Sequence, residues 1–337
     1  MGAGNLPAIS IITPVYNTGE YLARCLTSII NQSFADFEVV MVDDGSTDNS
    51  AGIIRDFLAR DDRIRYFYQE NQGPGVARNL AVSKARGDYI AFVDSDDTID
   101  PELLEKIMSR VKQDTPDLLF FEYKTHSGDG ARVLKISDQS EFARLQKAEL
   151  VACQITARLP YGVWNRVVRR SLVVENGMEF LPIRNEEESV FSVAQLLYSQ
   201  KTVFMADGYY NYYQREGSAH RQHRNFFDLT IVRAISGLLD NNEVAGQYAR
   251  VINSAVVYKC VTSIYNCAGR YRMGEAVSET KSYIRRIGAE YDLKNIDKAY
   301  LDRRVRFMLP LFRLKFYRLI FLAGKIYNAY KKISGRV

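Results

Sequence analysis

Cysteine is scarce in this 337-residue chain, and the four present, Cys25, Cys153, Cys260 and Cys267, show no metal-ligand spacing. Their scatter excludes a disulfide framework and reads as reduced thiols serving as small buried hydrophobes. Long apolar runs are missing too. No stretch of about 18 or more uncharged apolar residues occurs, so no membrane-spanning helix is expected. The first ten residues lack a basic segment followed by a long apolar core, which predicts no secretory signal and a cytoplasmic setting. There is no phosphate loop of the G-x-x-x-x-G-K type, and the glycines of "ENQGPGVARNL" are too weak a pattern for a dinucleotide fingerprint. Acidic residues are absent from Arg303 to Val337, a stretch that holds ten of the 45 Lys and Arg residues. The first 302 residues therefore carry 35 basic against 40 acidic side chains, and the net charge of +5 belongs to the tail.

What is present is the composition of a soluble globular protein, 47% hydrophobic and 25% charged. The length predicts one large domain with additions, or two domains. Ala8 to Thr13 reads as a short buried strand, and Leu22, Leu26, Ile29 and Ile30 fall at helical spacing between Gly19 and Gln32. Asn17 or Thr18 is placed to cap that helix. A strand from Phe37 to Val42, a helix from about Asp48 to Arg60, a strand from Arg63 to Tyr68, a helix from Gly75 to Ala85 and a strand from Asp88 to Val93 follow. This alternation predicts an α/β fold with a mainly parallel central sheet and helices on both faces.

Ligands of such sheets sit outside the carboxyl ends of the strands. Three polar loops gather there: Pro14-Val15-Tyr16-Asn17, Asp43-Asp44-Gly45-Ser46 and Asp94-Ser95-Asp96-Asp97. The third opens a run of five carboxylates in nine residues, from Asp94 to Glu102. So much like charge needs a cation or hydrogen-bond donors to stay ionised. A hard divalent ion, Mn2+ or Mg2+, meets that need through one or two carboxylates, with water and substrate phosphates completing its shell. The same acids would also serve as a solvated helix cap, with Asp97 or Asp100 at the N-cap of a helix starting near Pro101. In the second loop, Asp44 is suited to accept the imide hydrogen of a uracil or thymine while Tyr16 stacks on the ring. Arg78 is a candidate for meeting phosphate charge, or for a structural ion pair.

Three stretches, "SIITPVYNTGEYLARCLTSIINQSFADFEVVMVDDGSTDNS", "NQGPGVARNLAVSKARGDYIAFVDSDD" and "WNRVVRRSLV", resemble the family 2 glycosyltransferases, inverting enzymes of the GT-A fold. The likeness is dense over residues 8–104 and trails to about residue 220. It implies a nucleotide-sugar donor whose base is held by Tyr16 and Asp44, with Pro14 and Asn17 in the same loop. Asp94-Ser95-Asp96 would be the D-x-D motif, Asp96 taking the metal and Asp94 lying nearer the ribose or donor sugar. Asp43 and Arg78 match positions lining the donor pocket. The family's general base stands in an E-D-x-x-F pattern; here Glu187-Glu188-Ser189-Val190-Phe191 matches it, so Glu188 takes the place of the usual Asp, with Glu187 in reserve. Both glutamates would also favour the positive end of the following helix without any catalytic part. Arg166 stands where relatives usually have Lys, and Trp164 is either an acceptor platform or core packing. Arg215, Ser218 and His220 fall on a segment that in relatives approaches the diphosphate or metal, which makes His220 a possible ligand. The Q-x-x-R-W pattern of processive members is absent, which favours one sugar per encounter.

These observations predict a GT-A domain over residues 1–224, with a nucleotide-binding half at about 1–112 and an acceptor half at about 113–224, followed by a helical region over 225–337. The expected helices there cover about 226–240, 243–269, 273–288 and a last one after about Val305. On a helical wheel Leu309, Phe312, Phe316, Leu319, Ile320, Ala323, Ile326, Tyr327 and Tyr330 share one arc, with Arg306, Arg313, Lys315, Arg318 and Lys325 outside it. An acid-free amphipathic helix of this kind suits an anionic membrane surface, or packs on the protein with its basic face in water. No recognition motif points to nucleic acid. The expected activity is metal-dependent transfer of a sugar, UDP-linked, to a saccharide or lipid-linked acceptor at the inner face of the cell membrane. Two alternatives are a nucleotidyltransferase, against which the lack of a basic residue from Pro14 to Thr18 counts, and an inactive nucleotide-sugar-binding protein.

Overall fold

The computed structural model describes residues 6–127, 130, 132–183, 186–214, 230–267 and 272–333. The chain divides into two compact units, one formed by Met1–Leu150 and Tyr161–Gln222, the other by Val151–Pro160 and His223–Val337.

In the first unit the strands β1 (Ile9–Val15), β2 (Phe37–Asp44), β3 (Ile64–Gln69) and β4 (Tyr89–Phe92) alternate with the helices α1 (Gly19–Ile30), α2 (Ser50–Leu58) and α3 (Pro74–Lys84). They pair in parallel in the order β3-β2-β1-β4. Every residue of β1 and β2 is buried, as strands covered on both faces require. On one face Ile9, Ile11, Val39, Met41 and Ala91 pack against Leu22, Leu26 and Ile29 of α1, Ile54 and Phe57 of α2, and Leu104 and Ile107 of α4 (Leu103–Asp114). The alternate residues Ile12, Val40, Val42 and Ile90 are buried away from that cluster, and α3 lies against β1 and β2.

The remaining strands, β5 (Thr98–Ile99), β6 (Leu118–His126), β7 (Val133–Ile136), β8 (Arg166–Arg169) and β9 (Thr202–Tyr213), extend the sheet to β3-β2-β1-β4-β8-β6-β9-β5, with β7 beside β6. Here the direction is mixed. β8 runs antiparallel to both β4 and β6, while β6 and β9 are parallel. Helix α5 (Lys147–Ile155) starts in this part and passes at Val151 into the second unit; α6 (Arg170–Glu175) and α7 (Glu188–Tyr198) complete the first. Phe191 of α7 stacks on Phe180 at 4.0 Å between ring centroids and meets the edge of Phe92 of β4 at 5.9 Å. Aromatic pairs of this kind are worth about 0.5–1.5 kcal/mol beyond the area they bury. They bring the start of α7 over the end of β4.

The second unit is helical: α8 (Thr230–Asn241), α9 (Ala245–Cys267), α10 (Met273–Ile287), α11 (Arg303–Arg313) and α12 (Tyr317–Ile333). The single last helix expected from the sequence is two. α11 is capped by Asp302, whose carboxylate accepts from the Val305 N–H at 2.6 Å. It ends in a Schellman motif, with Phe316 N–H on the Leu311 carbonyl at 2.8 Å and Lys315 N–H on the Phe312 carbonyl at 3.0 Å. Lys315 takes the left-handed conformation this requires, φ 60°, where glycine is usual. The break divides the expected apolar arc: Leu309, Phe312 and Ile320 are buried, whereas Phe316, Leu319, Ile326 and Tyr327 are exposed.

Candidate active site

Side chains stitch the three loops at the strand ends together. Tyr16 is exposed at the end of β1, and Pro14 is buried within it. Asn17 adopts φ 50°, and its side-chain oxygen accepts from the backbone N–H of Thr47 at 2.8 Å, while its own N–H donates to the Ser46 hydroxyl at 3.1 Å. It therefore ties the first loop to the second rather than capping α1. Thr18 occupies the N-cap position, but its hydroxyl donates to Ser95 of the acidic loop at 2.9 Å. Gly19 N–H reaches the Asp48 carboxylate at 2.8 Å.

Asp43 and Asp44 are both buried. Asp43 accepts from Ser46 N–H at 2.8 Å and from the Tyr66 hydroxyl at 3.1 Å. Asp44 holds the turn after β3: its Oδ1 accepts from Gln69 Nε2 at 2.7 Å and Gln72 N–H at 2.9 Å, and its Oδ2 from Gly73 N–H at 2.9 Å. A base bound at Asp44 has to share those oxygens. Gly45 has φ 76°, and a Cβ there would stand 2.9 Å from the Asn71 nitrogen, so this turn has room for no side chain.

The acidic loop is fixed from several sides. Asp94 N–H donates to the Tyr210 hydroxyl at 3.1 Å, its carbonyl accepts from the Cys25 thiol, and the Asp96 carbonyl accepts from Arg24 at 3.0 Å. Neither Asp97 nor Asp100 caps α4, whose N-cap is Glu102. Asp97, 1% exposed, accepts instead from the Tyr210 hydroxyl at 2.7 Å and from Tyr213 N–H at 2.9 Å. Burial, with Asp96 and Asp94 adding, pushes its carboxyl well above the ordinary range. Asp100 is taken up by Lys124 and Asn211, each close to 2.9 Å.

Arg78, on α3 and 4% exposed, gathers three carboxylates. Its Nη1 donates to Glu187 at 2.9 Å, and its Nη2 meets Asp94 at 2.9 Å and Glu188 at 3.0 Å. Burial works against its charge, but the three carboxylates outweigh it and hold the guanidinium protonated. Glu188 opens α7, and burial pushes its carboxyl up to about 8, with Arg78 opposing and Asp94 and Glu187 adding to the rise. Behind it lies Arg166, 0% exposed and 4.3 Å from the Phe120 ring centroid, which burial brings down to about 9 against the pull of Glu188. Gly75 allows the close approach of this cluster to α3, since a Cβ there would meet the Leu181 carbonyl at 2.7 Å and Glu187 Cγ at 3.3 Å.

The structure thus brings Arg78, Asp94, Glu187 and Glu188 together and knits Asn17, Asp43 and Asp44 into adjacent loops. Trp164 is half-buried among Tyr123, Tyr210 and Tyr212. Arg215, Ser218 and His220 lie outside the described residues. Among the described residues no group of three or more His, Cys, Asp or Glu side chains stands ready for a metal ion. Asp94 and Asp96 offer two carboxylates in one loop, a donor set that suits a hard ion completing its shell with water and phosphate. Sequence reasoning missed Tyr210, whose hydroxyl joins Asp94 to Asp97; only its place in an aromatic run hinted at burial.

Known proteins resemble this chain in fold and in sequence. The crystal structure of S. aureus TarS 1-349 in complex with UDP-GlcNAc has a TM-score of 0.71 at 22% identity, covering 95% of this chain and 91% of that one. The mannosyltransferase PcManGT from Pyrobaculum calidifontis, in complex with GDP-Man and Mn2+, has a TM-score of 0.56 at 16% identity, covering 98% and 89%. These likenesses establish the GT-A fold. In sequence, residues 10–173 match the model of glycosyl transferase family 2. Glycosyltransferase GlyG of Streptococcus pneumoniae is 33% identical over 244 residues, 67% of this chain and 76% of its own length. The chain belongs to glycosyltransferase family 2 and is a glycosyltransferase. That assignment displaces the nucleotidyltransferase alternative.

Proposed function

We propose that the protein transfers one sugar at a time from a UDP-sugar to a hydroxyl of a saccharide acceptor, with inversion at the anomeric carbon. The observation that carries this reading is the single guanidinium of Arg78 joined to both the acidic loop, at Asp94, and the start of α7, at Glu187 and Glu188. It supports a reading in which a general base on α7 works beside a donor site at the acidic loop. Tyr16 and Asp44 hold the base of the nucleotide, and Asn17 and Asp43 fix the loops around it. Mn2+ or Mg2+ held by Asp96 and Asp94, with His220 a further candidate, would neutralise charge on the leaving diphosphate. Glu188 takes the proton of the acceptor hydroxyl as its oxygen bonds to the anomeric carbon and the bond to the diphosphate breaks. Arg78 holds that carboxylate in place, and the charge of Arg166 favours its ionised form. Asp96→Asn tests the assignment: it should abolish transfer and remove the gain in UDP affinity given by Mn2+ in calorimetric titration. Equal UDP affinity with and without Mn2+ in the parent protein would overturn the metal's part.

The domain limits proposed from the sequence, 1–224 and 225–337, are retained as the functional division. An acceptor carried on lipid for surface polysaccharide, and a peripheral place at the cytoplasmic face of the cell membrane, complete the reading. The acid-free basic tail supports both.

A further inference from the structure

Of the thirteen large apolar side chains exposed among the described residues, seven fall between Phe307 and Tyr327. They form second stripes on helices whose first stripes are already used. In α11, Val305, Met308, Leu309 and Phe312 are buried, while Phe307 and, two turns on, the C-cap residue Leu314 lie on another side and are 75% and 62% exposed. In α12, Tyr317, Ile320 and Phe321 are buried, and α9 and α10 pack against the helix. Phe316, Leu319, Leu322 and Ile326, at three- and four-residue spacing, are 44–64% exposed. Such spacing makes one continuous face along a helix. Exposed apolar stripes of this extent mark interaction surfaces.

The charges beside the stripes select the partner. Arg303, Arg304, Arg306, Arg313, Lys315, Arg318 and Lys325 are all exposed, and no Asp or Glu occurs anywhere from Arg303 onward. A second copy docked through this face would set like charges against each other. An anionic lipid surface accepts the apolar stripe and the cations together, with the long Lys and Arg stems extending toward the headgroups. Among the described residues no helix is long and apolar enough to cross a membrane, so the contact is with one leaflet.

We propose that the outer face of α11 and α12, formed by Phe307, Leu314, Phe316, Leu319, Leu322 and Ile326 within their basic rim, docks the protein onto an anionic bilayer. This differs from the arc expected from the sequence, of which Leu309, Phe312 and Ile320 are core. It deepens the peripheral reading given above and is independent of the donor's identity.

The test is co-sedimentation of the full chain with vesicles of phosphatidylcholine alone, or with about one part phosphatidylglycerol to three of phosphatidylcholine, over a range of salt. Expected are binding to the mixed vesicles at least tenfold above binding to the neutral ones, and a fall with salt to a residual plateau. The triple variant Phe316→Ser, Leu319→Ser, Ile326→Ser should lose the plateau. The variant Arg313→Gln, Arg318→Gln, Lys325→Gln should lose the salt-sensitive part. All six side chains are exposed, and circular dichroism with UDP titration of each variant monitors folding and the donor site separately. Equal binding to both vesicle types, or undiminished binding by both folded variants, overturns the proposal. So does concentration-dependent dimerisation abolished by the serine variant, which would assign the face to a second copy. Absence of UDP binding by the parent protein, with vesicle binding intact, would count against the donor reading alone.

Discussion

Arg78 and Glu187, 109 residues apart in the chain, meet at 2.9 Å in a buried ion pair. The same guanidinium holds Asp94 and Glu188, so α3, the acidic loop and α7 share one cation. Removing one partner of a buried pair typically costs about 3–5 kcal/mol, because the charges left behind have no compensation. Arg78→Met should destabilise the protein on that scale in urea unfolding. Arg78→Lys, with one ammonium for three carboxylates, should retain more stability yet lower kcat more than it raises KM, if Arg78 orients Glu188.

Glu188 yields a pH prediction of definite sign. Its carboxyl rises from 4.5 to about 8 on folding. Between those values the folded protein holds a proton that the unfolded chain has lost, so this group's stabilising contribution is full at low pH and declines as pH rises through the window. The base form needed for transfer grows in over the same range. The acid limb of kcat/KM should therefore lie near pH 8, well above the ordinary carboxylate range. Glu188→Gln should flatten the dependence of Tm on pH from about 5 to 8 relative to the parent and lower the transfer rate by roughly 10² to 10⁴. An unchanged Tm profile would remove Glu188 as the titrating group.

Asp97 and Tyr210 form the second support of the acidic loop. Tyr210→Phe leaves Asp97 and the Asp94 N–H each short of a partner, at a cost of about 1–3 kcal/mol for a buried polar group. Mn2+-dependent gain in UDP affinity should fall in this variant while metal-free UDP binding changes little, because the loop that moves carries Asp94 and Asp96. Parallel calorimetric titrations separate the two.

Lys315 sits in a backbone conformation that suits glycine. Lys315→Gly should keep the break between α11 and α12 and raise stability by roughly 0.5–1 kcal/mol in urea unfolding. Destabilisation instead would mean that the lysine side chain holds the turn.

The parallel half of the sheet was legible because its elements announce themselves locally. Mainly apolar stretches such as Ala8 to Thr13 and helical spacing such as Leu22, Leu26, Ile29 depend on neighbours within a few residues. Long-range pairing left no such trace. Nothing near Arg166 says that β8 enters antiparallel between β4 and β6. The triple engagement of Arg78 joins residues whose distance in sequence exceeds any motif. Asp97 and Asp100 carry the composition of helix caps, yet donors on β6 and β9 take them up: Tyr210 and Tyr213 for Asp97, Lys124 and Asn211 for Asp100. The turn at Lys315 lacks the glycine that usually signals a helix end, so periodicity alone ran the two helices together.

The side chains of Asn17 and Thr18 and the N–H of Gly19 each bond to a neighbouring loop. Much of the freedom that a nucleotide would otherwise have to freeze is therefore spent when the chain folds. Immobilising a rotamer-rich side chain or loop residue on binding typically costs about 0.5–1.5 kcal/mol. A crevice whose walls are already braced gives a ligand little to organise, so the selectivity of these loops is set before any ligand arrives.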